Sequence, residues 1–471
     1  MSERGRARFS ISADALVVAI FALLGLRVGL NQLSDNSGFT HLATGIAMTK
    51  HGLLPAIPRV DPYTFTAHGK AWVVQSWLAE AGVGWAYRLG GQHAVTLLSG
   101  VTMAACGALL AVLARTPRPL RTAAAVAPAV LITVGQWTGR PLLVGLLAFG
   151  FTILVVERRW SPWWLVPTAW IWVNSHGSFP LGAAWLGLVV IGAWIDRRPA
   201  PLRYAVTFAG ALALSAVNPL GPRLLVFPLT AITKREAFSH VIEWRSPDFH
   251  TGAGVLALVG IVASLAIIGG RGRLTWRDAL PVAAFIGLSL TASRNLAPLG
   301  YVVAPVLGRA LDVGESDAER APLSPSFVRL ATVFVVLVGL IFALGSLQRP
   351  LVDASTYPVA QVRWLERHHR FAAPHRVAEE DTVGNYIELR HGARGDVFVD
   401  DRVDLFPLSL VRDELGMVDG TDRGLRAIDR WDIDTVLWRS DSVFVQRLTS
   451  TGRWDTAVRR GGFVVLTRRT D

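Results

Sequence analysis

Residues 13–32 read ADALVVAIFALLGLRVGLNQ. A run of about 20 mostly apolar residues is what an α-helix needs to cross a bilayer. Asp14 stands at its start and Arg27 near its far end, where a long side chain reaches water or lines a cavity. The chain then turns polar at once, at Ser34-Asp35-Asn36-Ser37. The run is longer than the apolar core of a cleaved secretory signal, about 7–15 residues, so it reads as a retained span.

Working outward, comparable stretches recur at 94–114, 121–137, 141–157, 161–175, 179–196, 203–218, 253–270, 277–293, 296–312 and 327–347. Together they predict an all-α polytopic membrane bundle of about 11 transmembrane helices. Composition agrees. Hydrophobic residues make up 51% of the 471 and charged residues 17%, against about 25% in an ordinary soluble domain. Mean hydropathy is +0.39. A soluble enzyme and a disordered chain are both excluded on these figures.

The net charge is +12, but residues 351–471 hold 18 Arg against 20 acidic residues. The basic excess therefore belongs to residues 1–350, where short cytoplasmic loops collect Arg. That distribution argues against nucleic acid as a partner. Cys106, the single cysteine, lies in an apolar stretch, which excludes an intramolecular disulfide and a thiolate metal site.

Arg placement orients the bundle. With Arg4, Arg6 and Arg8 inside, the inner loops carry Arg115, Arg118 and Arg121; Arg158 and Arg159; Arg197, Arg198 and Arg203; Arg271, Arg273 and Arg277; and Arg309, Arg320 and Arg329. This predicts a multi-pass plasma-membrane protein with a cytoplasmic N-terminus. Val73–Leu89 is apolar but holds Gln75, Glu80 and Arg88, and reads as an interfacial helix on the outer leaflet. Domain 1–350 then includes a long outer loop, 33–92. A second outer segment, 218–252, has an apolar piece, Arg223–Ile232, too short to span.

Residues 351–471 predict an extracytoplasmic α/β domain. Asp396–Val403, Thr435–Trp438 and Phe463–Thr467 read as strands. Val362–His369, Leu408–Leu415, Asp422–Trp431 and Ser442–Leu448 read as helices. Gly384 and Gly395 stand alone and read as turns. Its acidic run Asp400-Asp401-Arg402-Val403-Asp404 either binds sugar hydroxyls or is a strand end with solvated charges. Trp431, Trp438 and Trp454 read as core or as sugar-stacking rings.

Polar residues at membrane depth are costly and call for a reason. Under this topology Asp35, His41, Asp61, Arg140, Asn174, His176, Asn218, Glu243, Arg245, Asp248, Arg294 and Asn295 all fall on the outer side. Each has a plain structural reading: snorkelling for Arg140 and Arg294, helix capping for Asn174 and Asn218, a turn for Asp61-Pro62, an interfacial ion pair for Glu243 and Arg245. Their shared side instead predicts one polar site assembled from many helix ends. Arg140, Arg245 and Arg294 suit an anionic group, and guanidinium forks suit phosphate. At a membrane face that means a lipid phosphate. Asp35, directly after the first span, can act as a general base on a hydroxyl.

The segment from Ser34 to Leu42, with Gly45, His51-Gly52 and Pro55, resembles the first outer loop of bacterial integral membrane glycosyltransferases of the GT-C superfamily. Asp61-Pro62-Tyr63-Thr64-Phe65-Thr66, Trp77-Leu78-Ala79-Glu80, Arg140-Pro141, Asn174-Ser175-His176-Gly177, Glu243-Trp244-Arg245 and Arg294-Asn295 resemble an uncharacterised GT-C-like group. So do Gly384-Asn385-Tyr386 and the run Val399–Asp404. The resemblance implies a GT-C-like fold and a polyprenyl-phosphate-linked sugar as donor. It also implies inverting transfer on the outer face to a glycan, lipid or protein acceptor. It makes Asp35 the catalytic base; the shared outer side makes His41, Asp61, Arg140, Asn174, His176, Glu243, Arg245 and Arg294 the expected substrate-binding residues. Many members carry two acids in this loop and some use a divalent metal. Here Asn36 follows Asp35 and the next loop acid is Asp61, so no metal ligands are assigned, and Asp61 or Glu243 are the other carboxylates available as base. A non-catalytic lipid-binding scaffold and a lipid or solute transporter are the competing readings of the same frame. A transporter places polar groups near the midplane and shows internal repeats, and neither pattern is evident.

Overall fold

A computed structural model describes residues 13–33, 35–270, 274–312, 324–353 and 355–469. Arg4, Arg6, Arg8, Arg271, Arg273 and Arg320 of the expected inner segments, and Ser34 of the first loop, lie outside the described residues.

Each stretch expected to span holds a helix. The chain begins with α1 (Ala13–Gly29), α2 (Ser37–Thr49), α3 (Trp77–Leu113), α4 (Pro119–Thr133) and α5 (Leu142–Glu157). It continues through α6 (Leu165–Ser175), α7 (Pro180–Ile195) and α8 (Leu202–Leu214). Three short helices follow, α9 (Arg223–Val226), α10 (Pro228–Thr233) and α11 (Arg235–Phe238). The remaining long ones are α12 (Gly252–Gly269), α13 (Trp276–Thr291), α14 (Leu296–Asp312) and α15 (Pro325–Ser346). Among the described residues three segments suffice by length and composition to cross a membrane: Trp77–Leu113, Gly252–Gly269 and Ser326–Ser346. Helices α5, α7 and α8 are apolar but shorter.

Close backbone approach packs α1 on α3. A Cβ added at Gly25 would sit 2.1 Å from the Met103 carbonyl oxygen, and one at Gly107 would sit 2.2 Å from that of Phe21. Small residues allow such contact where lipid supplies no hydrophobic drive between helices. At the ends of α5, α13 and α14, ion pairs join neighbours. Arg309 grips Glu157 at 2.6 Å and Asp278 at 2.7 Å, and Arg277 meets Glu157 at 2.8 Å.

Helix α3 contains a break. Gly90 and Gly91 leave helical backbone, Gly91 with φ +59°. The half before the break covers most of the expected interfacial segment, beginning at Trp77, and it packs on protein. The three polar residues that argue against a span there all have uses. Glu80 pairs with His41, Arg88 donates to the carbonyls of Thr49 and Gly52, and Gln75 accepts from Ser76.

The last third contains α16 (Val359–Arg367), β1 (Val377–Glu379), α17 (Asp381–His391), α18 (Leu408–Val418), α19 (Asp422–Arg430), β2 (Thr435–Arg439), α20 (Val443–Ser450), β3 (Trp454–Arg460) and β4 (Phe463–Arg468). The sheet order is β1-β2-β4-β3, with β1 parallel to β2 and the other pairs antiparallel. Gly461 and Gly462, both at positive φ, close the β3–β4 hairpin in the two-residue turn that matches strand twist. Trp438 and Trp454 are buried in the core, and Trp431 packs against it while donating to Asp413 at 3.2 Å.

Two expectations fail here. Asp396–Val403 is not a strand. Val397 makes an isolated bridge to Thr64, and the amides of Phe398 and Val399 donate to Glu379 Oε1 instead of a sheet neighbour. Gly384 is no turn either; it lies inside α17, where a Cβ would stand 1.9 Å from the Val399 carbonyl oxygen. Helix and extended segment pass in direct backbone contact.

Helix α2 sits between these parts. Its apolar face packs on protein. Phe39 and Leu42 are buried in a cluster with Val383, Tyr386 and Ile387 of α17. The Phe39 ring packs edge-on against Tyr357 at 5.1 Å. Its other side meets α3 so closely that a Cβ at Gly84 would be 2.0 Å from the Gly45 carbonyl oxygen.

Candidate functional site

Five interhelical turns and the start of α2 converge on one cleft. Asp35 follows α1, Arg140 precedes α5, His176 links α6 to α7, Glu243 lies between α11 and α12, and Arg294 links α13 to α14. Helices ending at a common level deliver residues remote in sequence to a common place.

The Asp35 carboxylate is fixed on both oxygens. Oδ1 accepts from the Ser37 amide at 3.1 Å, and Oδ2 accepts from the Thr138 hydroxyl at 2.9 Å. Arg140 Nε stands 3.3 Å from the same Oδ2. Ser37 does not cap α2 with its side chain; that hydroxyl donates to Asp401 instead.

Glu243 lies between two guanidinium groups. Arg140 Nη2 is 2.7 Å from Oε2 and Arg294 Nη1 is 3.4 Å from Oε1. Burial pushes the Glu243 carboxyl up, but Arg294 and Arg140 outweigh it and hold the carboxyl below its ordinary value. Arg294 also stacks over Trp244, 4.3 Å from the ring centroid. His176 is held neutral by burial and by the positive charge of Arg294 and Arg140, and its Nδ1 lies 2.8 Å from Ser178 Oγ. Ser37, His41, Arg140, His176, Glu243 and Arg294 line a cavity of about 100 Å³. An apolar slot opens beside it, lined by Leu142, Leu146, Phe149, His176, Arg294 and Pro298.

On the other flank His41 Nδ1 is 2.7 Å from Glu80 Oε1. Burial disfavours the imidazolium, yet Glu80, with help from Asp401 and Asp35, raises the His41 pKa above its ordinary value. Ser37, His41 and His176 are shared with a second cavity of about 180 Å³, walled by Gln75, Glu80, Asp401 and Arg402. So the cleft has an arginine-rich half and a carboxylate-rich half.

Of the residues singled out from sequence, Asp35, His41, Arg140, His176, Glu243 and Arg294 meet here. Asp61, Asn174 and Arg245 do not line the cleft. Asp61 is buried, bonds the amides of Tyr63 and Thr64, and grips Arg402 at 2.7 Å. Asn174 accepts from Trp77 Nε1 at 2.8 Å and donates to the Trp170 carbonyl at 2.7 Å, tying α6 to α3. Arg245 donates to the carbonyls of Ser239 and His240, closing its own loop. Sequence reasoning missed Thr138, Gln75 and the role of Glu80. For Glu80 the signal was present: a carboxylate in an otherwise apolar helix needs a partner. Among the described residues no group of three His, Cys, Asp or Glu side chains is placed to hold a metal ion.

No protein-family model matches the chain, and no curated protein matches its sequence. Solved structures match its fold. The arabinofuranosyltransferase AftD from Mycobacteria aligns with a TM-score of 0.53 and 14% identity, over 98% of this chain and 40% of that one. ArnT from Cupriavidus metallidurans, solved bound to undecaprenyl phosphate, aligns with a TM-score of 0.44 and 15% identity, over 96% of this chain and 97% of that one. The chain thus spans 40% of the AftD structure it matches. The fold, a helical bundle carrying a small sheet, is similar to that of the arabinofuranosyltransferase AftD.

Proposed function

We propose that the protein is a glycosyltransferase that moves a sugar from a polyprenyl-phosphate donor to an acceptor hydroxyl. What carries the reading is Arg140 and Arg294 meeting on one carboxylate, Glu243, in the same cavity. A carboxylate held between two guanidinium groups marks the place where a phosphate fits, because the forks match both. A fold shared with an arabinofuranosyltransferase supports the same class of reaction.

Asp35 is the proposed base. It takes the proton of the acceptor hydroxyl as the acceptor oxygen bonds to the sugar carbon. The bond from that carbon to the phosphate oxygen breaks, and the lipid phosphate leaves with the electron pair, stabilised by Arg140 and Arg294. Attack opposite the leaving group inverts the carbon. The cleft and residues 351–471 face outward in this reading, with the N-terminus cytoplasmic.

Native mass spectrometry of the purified wild type beside Arg140→Ala and Arg294→Ala tests the proposal. Polyprenyl phosphate retained by the wild type and lost from both variants is expected. Bulk phospholipid alone, equal in all three, would overturn it. Lipid retained without transfer to any acceptor would favour a binding scaffold on the same frame.

A further inference from the structure

The carboxylate-rich cavity has features that the donor site does not explain. It lies between α2, the first half of α3 and the segment before α18, with Trp72, Val74 and Phe227 as its apolar wall. Three polar atoms of its lining residues are buried without a hydrogen-bond partner: Gln75 Nε2, Glu80 Oε2 and Arg402 Nη1. Glu80 is 3% exposed and Arg402 is 9% exposed, so bulk water does not serve them. Leaving such atoms unpaired costs about 1–3 kcal/mol each, which makes them unusual in a folded protein.

The orphaned set mixes two donors with one acceptor. Inorganic anions and lipid phosphates satisfy donors only. The charge of Arg402 is already taken up, by Asp61 at 2.7 Å and by Asp400. Asp401, Asp404 and Glu80 then leave the lining acidic, which disfavours an anion. A neutral ring carrying several hydroxyls both donates and accepts, and its C–H face suits the apolar wall. At about 180 Å³ the cavity is smaller than the ~300–1,000 Å³ of drug-sized ligand pockets, and takes one ring and no more.

We propose that this cavity is the acceptor subsite and that it binds an uncharged sugar through Gln75, Glu80, Asp401 and Arg402. Of the walls it shares with the donor half, Ser37, His41 and His176, the first carries the amide that bonds Asp35, so a sugar hydroxyl held there lies on the side of the base. The inference deepens the transferase reading by naming the acceptor as a neutral glycan, and it is tested by binding alone.

Saturation-transfer NMR on the full chain in detergent, with a panel of neutral methyl pentofuranosides and methyl hexopyranosides beside methyl glucuronoside and methyl glucosaminide, is the experiment. At least one neutral glycoside is expected to bind. Gln75→Leu should weaken it about fivefold through loss of one hydrogen bond. Glu80→Gln, which keeps a partner for His41, should weaken it by a similar factor. Arg294→Ala should leave it unchanged while losing the lipid, so that failure of the donor reading and failure of this one are told apart. Thermal unfolding checks that each variant is folded, and Gln75→Asn stands in if Gln75→Leu is not. Absence of binding by every neutral glycoside, preference for the glucuronoside or the glucosaminide, or wild-type affinity in both variants would overturn the proposal.

Discussion

The Ser37 hydroxyl donates a hydrogen bond to a carboxylate oxygen of Asp401, although 364 residues separate the two in the chain. The Ser37 amide meanwhile donates to Asp35. One residue at the start of α2 therefore touches the carboxylate proposed as base and a carboxylate of the acceptor cavity.

Burial, opposed by the Ser37 bond, pushes the Asp401 carboxyl up to about 7. An unfolded Asp titrates near ~3.9. The folded chain thus holds that proton more tightly than the unfolded one, so this contribution to stability is full at acid pH and is lost as pH rises from about 4 to about 7. Asp401→Asn should flatten the fall. Unfolding midpoints followed by tryptophan fluorescence between about pH 4.5 and pH 8 check it. Parallel wild-type and variant curves would show that Asp401 titrates normally.

Asp35→Asn keeps an oxygen for the Ser37 amide and places an NH2 beside the Thr138 hydroxyl, which can turn to accept from it, but removes the base. Transfer should fall by about 10²–10⁴, with lipid retention and unfolding midpoint close to wild type. Radiolabelled sugar transfer in membranes reads it. Full activity would remove Asp35 from the mechanism.

Glu243 occupies the guanidinium forks that a phosphate needs. Glu243→Gln lowers the charge competing for Arg140 and Arg294 and should tighten polyprenyl-phosphate binding by about tenfold, roughly 1.4 kcal/mol. Lipid titration by native mass spectrometry measures this. Weaker binding in the variant would mean that Glu243 positions the arginines rather than competing with the ligand.

The α2–α3 crossing has no room for a side chain, since a Cβ at Gly84 would stand 2.0 Å from a carbonyl oxygen. Gly84→Ala should destabilise the chain by about 1–3 kcal/mol. Gly287→Ala on α13 meets no atom within 4 Å and should be neutral. The difference between the two midpoints is the readout.

Much of the bundle was legible because apolar helices announce themselves. Apolar runs, such as Leu142–Val156, need no tertiary information to be found. The convergence of Arg140, His176, Glu243 and Arg294 was legible for a related reason: polar groups beside spans are costly and must be shared. The path of α2 was not. Its apolar face fits a membrane or a protein surface equally well, and only Tyr386 and Ile387 of α17 decide the matter. The fate of Asp396–Val403 was hidden similarly. Alternation suggests a strand, but the buried Glu379 takes the amides that a neighbouring strand would take. Asp61 and Asn174 could not be separated from cleft residues by type alone. Their partners, Arg402 and Trp77, come from elsewhere in the chain.

Thr40 Oγ1 on α2 donates to Glu388 on α17 at 2.6 Å and lies 3.0 Å from Asn385 Oδ1. With the Ser37–Asp401 bond and the Phe39 packing, these contacts make the first loop and the last third of the chain a single mould. Neither can drift in sequence alone. A replacement at Thr40 calls for an answering one at Glu388, and a tail borrowed from a distant relative would arrive without its half of the cleft. Divergence toward new substrates in such a protein has to proceed by paired changes, one on each side of α2.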